Sequence, residues 1–318
     1  MARLLKFSYR QAEHHNKLSA RFADVLELVA EASFYAKQDG QTVIDAHHID
    51  EAIVGKQYRT GQISETMLSD IKEGQILIAT EGHAVGKVNG LTVLHIGDTS
   101  FGTPARITAT VYAGADGVID VEREAELGKA IHSKGVMLLT GYLGNKYAQQ
   151  FSLTLSANIA IEQSYGYIDG DSASLAELCA LISAITNLPI SQSIALTGSI
   201  NQHGDVQSIG GVNEKIEGFF KLCKMRGLTG EQGVIIPKSN QVNLVLDDEV
   251  LDAVEKGRFN IYAVDTVDQA LSLLMDKDAG EMTAEGYPEG SINALALARL
   301  ANIADIVNGD NDDEKDAE

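Results

Sequence analysis

At 318 residues the chain is long enough for two domains with a well-buried core, and its 44% apolar and 22% charged content is that of an ordinary globular protein. A formal charge of −20 argues against a nucleic-acid backbone or an anionic membrane as the main partner. No run of about 18 uncharged apolar residues occurs, so no membrane span is expected. The opening "MARLLKFSYRQAEHHNK" turns charged too soon for a signal peptide, and a soluble, cytoplasmic protein is the expectation.

Residues 1–60 read as helical. "KLSARFADVLELVAEASFYAKQDG" sets Leu18, Phe22, Val25, Leu26, Val29 and Phe34 on one predicted face and stops at Asp39-Gly40. "TVIDAHHIDEAIVGKQYR" follows as a second helix, with Asp45 as N-cap before Ile49, Ile53 and Val54. Two or three such helices form a thin bundle that reads as the end of something larger. From about residue 74 the period shifts toward 2. "QILIAT", "GLTVLHIG", "ARITATVYAG", "GVIDVERE" and "GVMLLTGYLG" are predicted strands between Gly-rich turns. Then helices and strands alternate: a helix over 172–187, the strand "QSIALTGSI", the helix "VNEKIEGFFKLCKMRG", the strand "GVIIP", a helix near 247–256, the strand "FNIYAV" and the helix "TVDQALSLLM". Strands first and mixed elements afterwards predict an α+β domain over 74–278 behind a helical segment over 1–62. Residues 279–318 read as a loop, an amphipathic helix and the acidic "GDNDDEKDAE", a disordered, solvating tail. Cys179 and Cys223 lie in apolar helical patterns and read as buried free thiols of a reducing compartment.

The chemistry narrows by elimination. "EGHAVGKVNG" leaves three residues between Gly82 and Gly86 where a phosphate loop needs four, and carries Val88 where Ser or Thr would hold magnesium. The eight histidines form no HExxH and no zinc spacing, so surface histidines and no metal are expected. Ser69 and Lys72 make an S-x-x-K without the companion motifs of penicillin-binding enzymes. "GDSAS" is close to a G-x-S-x-G elbow, with Ser174 in place of the last glycine, but no Asp-then-His order follows. A lysine is the better base for Ser172. Lys215 falls in the first turn of an amphipathic helix after Gly210-Gly211, whereas Lys221 and Lys224 suit a wet face. A lysine takes a serine proton only if burial or a helix N-terminus lowers its pKa toward the working pH. Spacing alone leaves two readings open: Ser172 as a helix cap with a solvated Lys215, or nucleophile and base.

"DGDSAS", then "ALTGSINQHGDVQSIGGVNEKIEGFF", then "GVIIPKSN" resemble, in that order, the proteolytic domain of Lon proteases over roughly residues 75–276, with Lys215 43 residues after Ser172. The resemblance implies a serine endopeptidase with Ser172 as nucleophile and Lys215 as base, Thr197 supporting the lysine and Asp169 the serine turn. Backbone N–H groups around Gly170, Asp171 and Ala173 would form the oxyanion site. Residues 1–60 resemble the helical lid of AAA+ proteins, where Arg21 matches a nucleotide-sensing arginine. Asp171 and Ser174 replace the proline and glycine of the better-known Lon type, as in its LonB-like branch. The resemblance further implies a homo-hexameric ring fed with unfolded polypeptides, with ATP and Mg only where an ATPase core precedes this segment. A noncatalytic assembly or adaptor module that kept the fold is the alternative.

Overall fold

The computed structural model describes residues 1–97 and 99–315, with backbone alone from 310 onward. It is an α+β structure. Four helices come first: α1 (Ala2–Gln11), α2 (Phe22–Gln38), α3 (Ala46–Thr60) and α4 (Gln62–Lys72). Asp45 caps α3 as predicted. Its side chain accepts the His48 backbone N–H while the His48 ring accepts the Asp45 N–H, which closes a capping box. The packed face of α2 departs from expectation, because Leu18, Phe22, Leu26 and Phe34 are exposed. Leu28, Ala32 and Ala36 are buried instead, the first two clustering with Ile49 and Ala52 of α3. Small residues four apart let two helices approach closely, so alanines rather than the bulkiest side chains mark the seam.

The second unit runs through β1 (His83–Ala84), β2 (Lys87–Ile96), β3 (Thr99–Tyr112), β4 (Gly117–Asp120), α5 (Val121–Glu124), α6 (Ala130–Tyr147), β5 (Ser156–Ile161), α7 (Ser174–Thr186) and β6 (Ile190–Ser191). It continues through β7 (Ile194–Leu196), β8 (Ser199–Ile200), β9 (Val206–Gln207), α8 (Val212–Arg226), β10 (Gly233–Pro237), α9 (Asp248–Glu255), β11 (Asn260–Val264), α10 (Val267–Met275) and α11 (Ile292–Lys315). Two predicted strands are not strands. "GVMLLTGYLG" lies inside α6, where Val136, Leu139, Tyr142 and Leu143 are buried at helical spacing and Met137 points to solvent. A ten-residue apolar run fits either period, and only its packed face decides. "QILIAT" is irregular chain that buries Ile78. The helix α11 carries its backbone through the acidic run as far as Lys315, where the sequence reads as disordered; extending an existing helix costs little per residue. Residues 316–318 of that tail lie outside the described residues.

Seven strands form one mixed sheet in the order β11-β10-β7-β2-β3-β5-β4. β11, β10, β7 and β2 run parallel, while β3 is antiparallel to both β2 and β5. Alternation along the strands builds a core on each face. Ala195, Val234 and Ile236 pack with Val212, Ile216, Phe219 and Phe220 of α8. Leu196 and Ile235 turn the other way, toward α7, α6, α10 and α11. Gly102 on β3 lets α8 lie against the sheet, since a Cβ there would come 2.0 Å from the Glu214 carbonyl oxygen and 2.7 Å from Lys215 Cα. Both cysteines are buried and free, and burial holds the Cys223 thiol up at about 12. Among the described residues no helix is long and apolar enough to cross a membrane.

Candidate active site

Helices α7 and α8 cover opposite faces of the sheet, and their first turns meet where the chain leaves β7. Ser172 lies in the tight turn before α7, reached through Gly170 at φ +89. Its hydroxyl does not cap the helix: the N-cap position is Ala173 and no side chain caps it. Backbone ties set the turn against the segment after β7. Gly198 N–H donates to the Ser172 carbonyl at 3.0 Å, and Leu175 N–H donates to the Gly198 carbonyl at 3.1 Å. Ser174, at the position of the missing glycine, is buried, and its hydroxyl accepts the Ile200 N–H at 3.2 Å.

Lys215 enters from the other face. Gly211, at φ +65, is the N-cap of α8, and the Lys215 N–H closes the first turn on its carbonyl. The side chain is 3% exposed, and its Nζ lies 2.8 Å from Ser172 Oγ and 3.0 Å from Thr197 Oγ1. The Thr197 hydroxyl donates onward to the Ser172 carbonyl at 3.2 Å, so its lone pairs face the lysine. Burial pulls the Lys215 amine down from 10.5 to about 8, partly opposed by the Asp171 carboxylate. A buried amine titrating near neutrality, within reach of a hydroxyl, has the means to take that proton.

Other sequence-predicted residues sit farther out. Asp169 is exposed, accepts the Gly170 N–H at 2.8 Å and lies 4.0 Å from Lys129 Nζ, so its contacts shape the turn. The Gly170 N–H is thereby engaged, whereas the N–H groups of Asp171 and Ala173 have no partner among the described residues. The Asp171 side chain was not singled out by the sequence. It accepts from Ser199 Oγ at 2.8 Å, and Gly135 of α6 leaves room for it, since a Cβ there would lie 3.3 Å from Asp171 Cβ. Ser199 carries no sequence signal beyond its closeness to Thr197. Ser69 is exposed and bonds Glu73, apart from this site.

A family model described as "Lon protease (S16) C-terminal proteolytic domain" matches residues 44–277, and one described as "Archaeal LonB, AAA+ ATPase LID domain" matches residues 1–59. The chain belongs to the Lon protease family. Two curated relatives are each named "Putative Lon protease homolog". That of Escherichia coli (strain K12) is 46% identical over 75% of this chain and 41% of its own length; that of Haemophilus influenzae is 42% identical over 95% and 50%. An archaeal Lon protease of Archaeoglobus fulgidus is 29% identical over 87% of this chain and 42% of its own. The chain thus spans half or less of the length of these relatives.

The Lon lid and protease domain meet across a cleft of about 830 Å³. Arg21 lines it at the N-terminus of α2, exposed, together with Lys6, Arg10, Asp24 and Glu27. Sequence patterns did not single out Arg10, which reaches α8 on both sides of Lys215. Its guanidinium donates to Glu217 at 2.5 and 2.8 Å, to Glu214 at 2.9 Å and to the Val245 carbonyl at 2.8 Å. Not all the histidines are on the surface. His48 serves the α3 cap, and His132 is 1% exposed beside three acidic side chains.

Proposed function

We propose that this Lon-family chain is a serine endopeptidase in which Ser172 is the nucleophile and Lys215 the general base. The observation that carries the reading is a buried amine, lowered to about 8, 2.8 Å from a serine hydroxyl at a helix mouth. Neutral Lys215 accepts the Ser172 proton as Oγ bonds to the scissile carbonyl carbon. The oxyanion takes hydrogen bonds from the N–H groups of Asp171 and Ala173, with Gly170 giving the backbone room to approach; one such donor is worth about 3–4 kcal/mol. Lys215 then protonates the leaving amine, the peptide bond breaks, and water releases the acyl group by the reverse proton path. Thr197 accepts from the ammonium and aims it, while Asp171, held by Ser199, offsets its charge. Asp169 shapes the turn.

By resemblance, the substrates are unfolded polypeptides, the working form is a cytoplasmic homo-hexamer, and the segment is the C-terminal part of an ATP-dependent protease. Arg21 would sense nucleotide held, with Mg, by an upstream ATPase core. The test uses the purified chain and an unfolded protein substrate. Ser172→Ala, Lys215→Ala and Lys215→Arg are each expected to lose cleavage by about 10⁴-fold or more, the last because guanidinium stays protonated. Wild-type rates should rise with pH through about 8, because the base must be neutral. Near-normal cleavage by either alanine variant overturns the dyad. A folded wild type whose Ser172 resists a serine-directed probe favours the noncatalytic assembly module.

A further inference from the structure

Cleavage makes no use of a cluster of four buried ionisable side chains among the described residues. Asp120 at the end of β4, Glu122 in α5, His132 in the first turn of α6 and Glu177 in the first turn of α7 converge, exposed by 1, 5, 1 and 1%. His132 Nε2 lies 3.3 Å from Asp120 Oδ1, and its Nδ1 lies 3.8 Å from Glu177 Oε1. Glu122 spends one oxygen on the Ile161 N–H at 2.8 Å. Asp120 Oδ2, Glu122 Oε2 and Glu177 Oε1 remain buried with no hydrogen-bond partner. One imidazole has at most two N–H groups, too few for three carboxylates. Each unmet buried oxygen is costly, and the like charges repel.

A cation removes that conflict. Ligand-capable atoms of Asp120, Glu122 and His132 all lie within 4.8 Å of one another. Two ligands of one ion, each about 2.0–2.2 Å from it, are at most about 4.4 Å apart, so small side-chain shifts close the three onto one centre. Two carboxylates with one imidazole suit zinc or manganese better than calcium or magnesium, which favour all-oxygen shells. We propose that Asp120, Glu122 and His132 bind one divalent transition-metal ion of the zinc or manganese class. His132 contributes Nε2, and its Nδ1–H donates to Glu177, the outer partner that fixes the tautomer. Close wrapping fits a rigid site, since a Cβ at Gly128 would come 3.0 Å from His132 Cδ2.

The ion's work is structural. It joins the β4–α5 corner to α6 and, through Glu177, to the first turn of α7 behind Ser172. The same corner holds the serine turn by backbone bonds, Ile168 N–H to the Leu127 carbonyl at 3.0 Å and Lys129 N–H to the Ile168 carbonyl at 2.9 Å.

The test is metal content and melting temperature of the full chain, stripped with chelator, supplied with Zn²⁺ or Mn²⁺, and desalted. Wild type is expected to retain one equivalent of one of these ions, with a melting temperature raised by about 3 °C or more. Asp120→Asn and His132→Gln are each expected to cut retention at least tenfold. His47→Ala, which removes the Asp39–His47–Glu51 grouping, whose Asp39 and His47 are exposed and whose Glu51 is half-buried, should leave retention unchanged. Wild type alone decides if the buried variants fail to fold: no retained ion and no thermal shift overturns the site and leaves protons as the neutralising charge. Retention by His132→Gln with loss in His47→Ala also overturns it and moves the ion to the surface.

Discussion

Helix α8 meets its two neighbours on opposite terms. Toward the sheet it buries Val212, Ile216, Phe219, Phe220 and Cys223, none more than 2% exposed, against β7 and β10. Toward the lid it offers Glu214 and Glu217, and α1 answers with Arg10, while Arg3 and Lys6 pair with Asp248 at the start of α9. Apolar burial is nondirectional and scales with area, so it sets where α8 lies. Charged contacts are directional and, when exposed, weak, so they set how the lid is registered on it. Lys215 stands at the meeting of these two regimes, fixed by the first and adjacent in sequence to the second.

Breaking the apolar side should cost most. Phe219 is fully buried and its ring lies 6.5 Å from that of Phe259. Phe219→Ala is expected to lose about 3–5 kcal/mol by denaturant unfolding, through lost transfer energy plus a cavity. The proposed cleavage by Ser172 and Lys215 should fall as well, since Lys215 sits one turn earlier on the same helix. A loss under about 1 kcal/mol would mean that α8 is not seated by this core.

The buried part of the charged side comes next. Arg10→Met leaves Glu217, whose side chain is 10% exposed, without its cation, and should cost about 2–3 kcal/mol at pH 7. Burial raises the Glu217 pKa, and Arg10 pulls against that rise. A raised carboxyl favours folding only while protonated, and that contribution is lost as pH rises through its folded pKa. Without Arg10 the rise is greater, so the deficit of Arg10→Met should be small near pH 4 and full at pH 7. Adding Glu217→Met should recover stability at pH 7 to within about 1 kcal/mol of wild type. A double variant as weak as Arg10→Met would show that Arg10 acts through Glu214 or the Val245 carbonyl instead.

The same division explains what the sequence made legible. The strand–helix alternation after β5 and both first-turn motifs, "GDSAS" and "VNEK", stand out because turn chemistry and apolar period are local properties. The separation of Ser172 and Lys215 by 43 residues showed their order but not their contact. That contact comes from two helices covering opposite faces of one sheet, a consequence of strand order that no local pattern encodes. α6 was misread because "GVMLLTGYLG" satisfies both periods, and the α2 seam because alanines carry it. His132 looked like a surface histidine, since Asp120, Glu122 and Glu177 lie 12, 10 and 45 residues away in sequence. The Asp171–Ser199 bond was hidden for the same reason.

The weakest effect belongs to the exposed end of the lid contact. Arg3 and Lys6 both pair with Asp248, whose side chain is 59% exposed, and these partners hold its carboxyl below the usual range. A lowered carboxylate favours folding above its unfolded pKa, and that contribution fades as pH falls through its folded pKa. Solvent screening and the entropy of pinning two long side chains leave little net gain, so Asp248→Asn should cost no more than about 1 kcal/mol at low salt. Raising the salt toward 1 M shrinks the Debye length to about 3 Å and should erase even that. The Arg10 contact, being half-enclosed by Val245 and the α8 surface, should keep most of its effect under the same salt. Equal salt sensitivity of Asp248→Asn and Arg10→Met would break the distinction between the exposed and buried ends of α1. The charged lid contact would then be a screened surface interaction, and registry on α8 would have to come from the His15 N–H on the Val242 carbonyl, Asn243 on the Glu13 carbonyl, and the packing of Leu68 and Ile71 against Leu222.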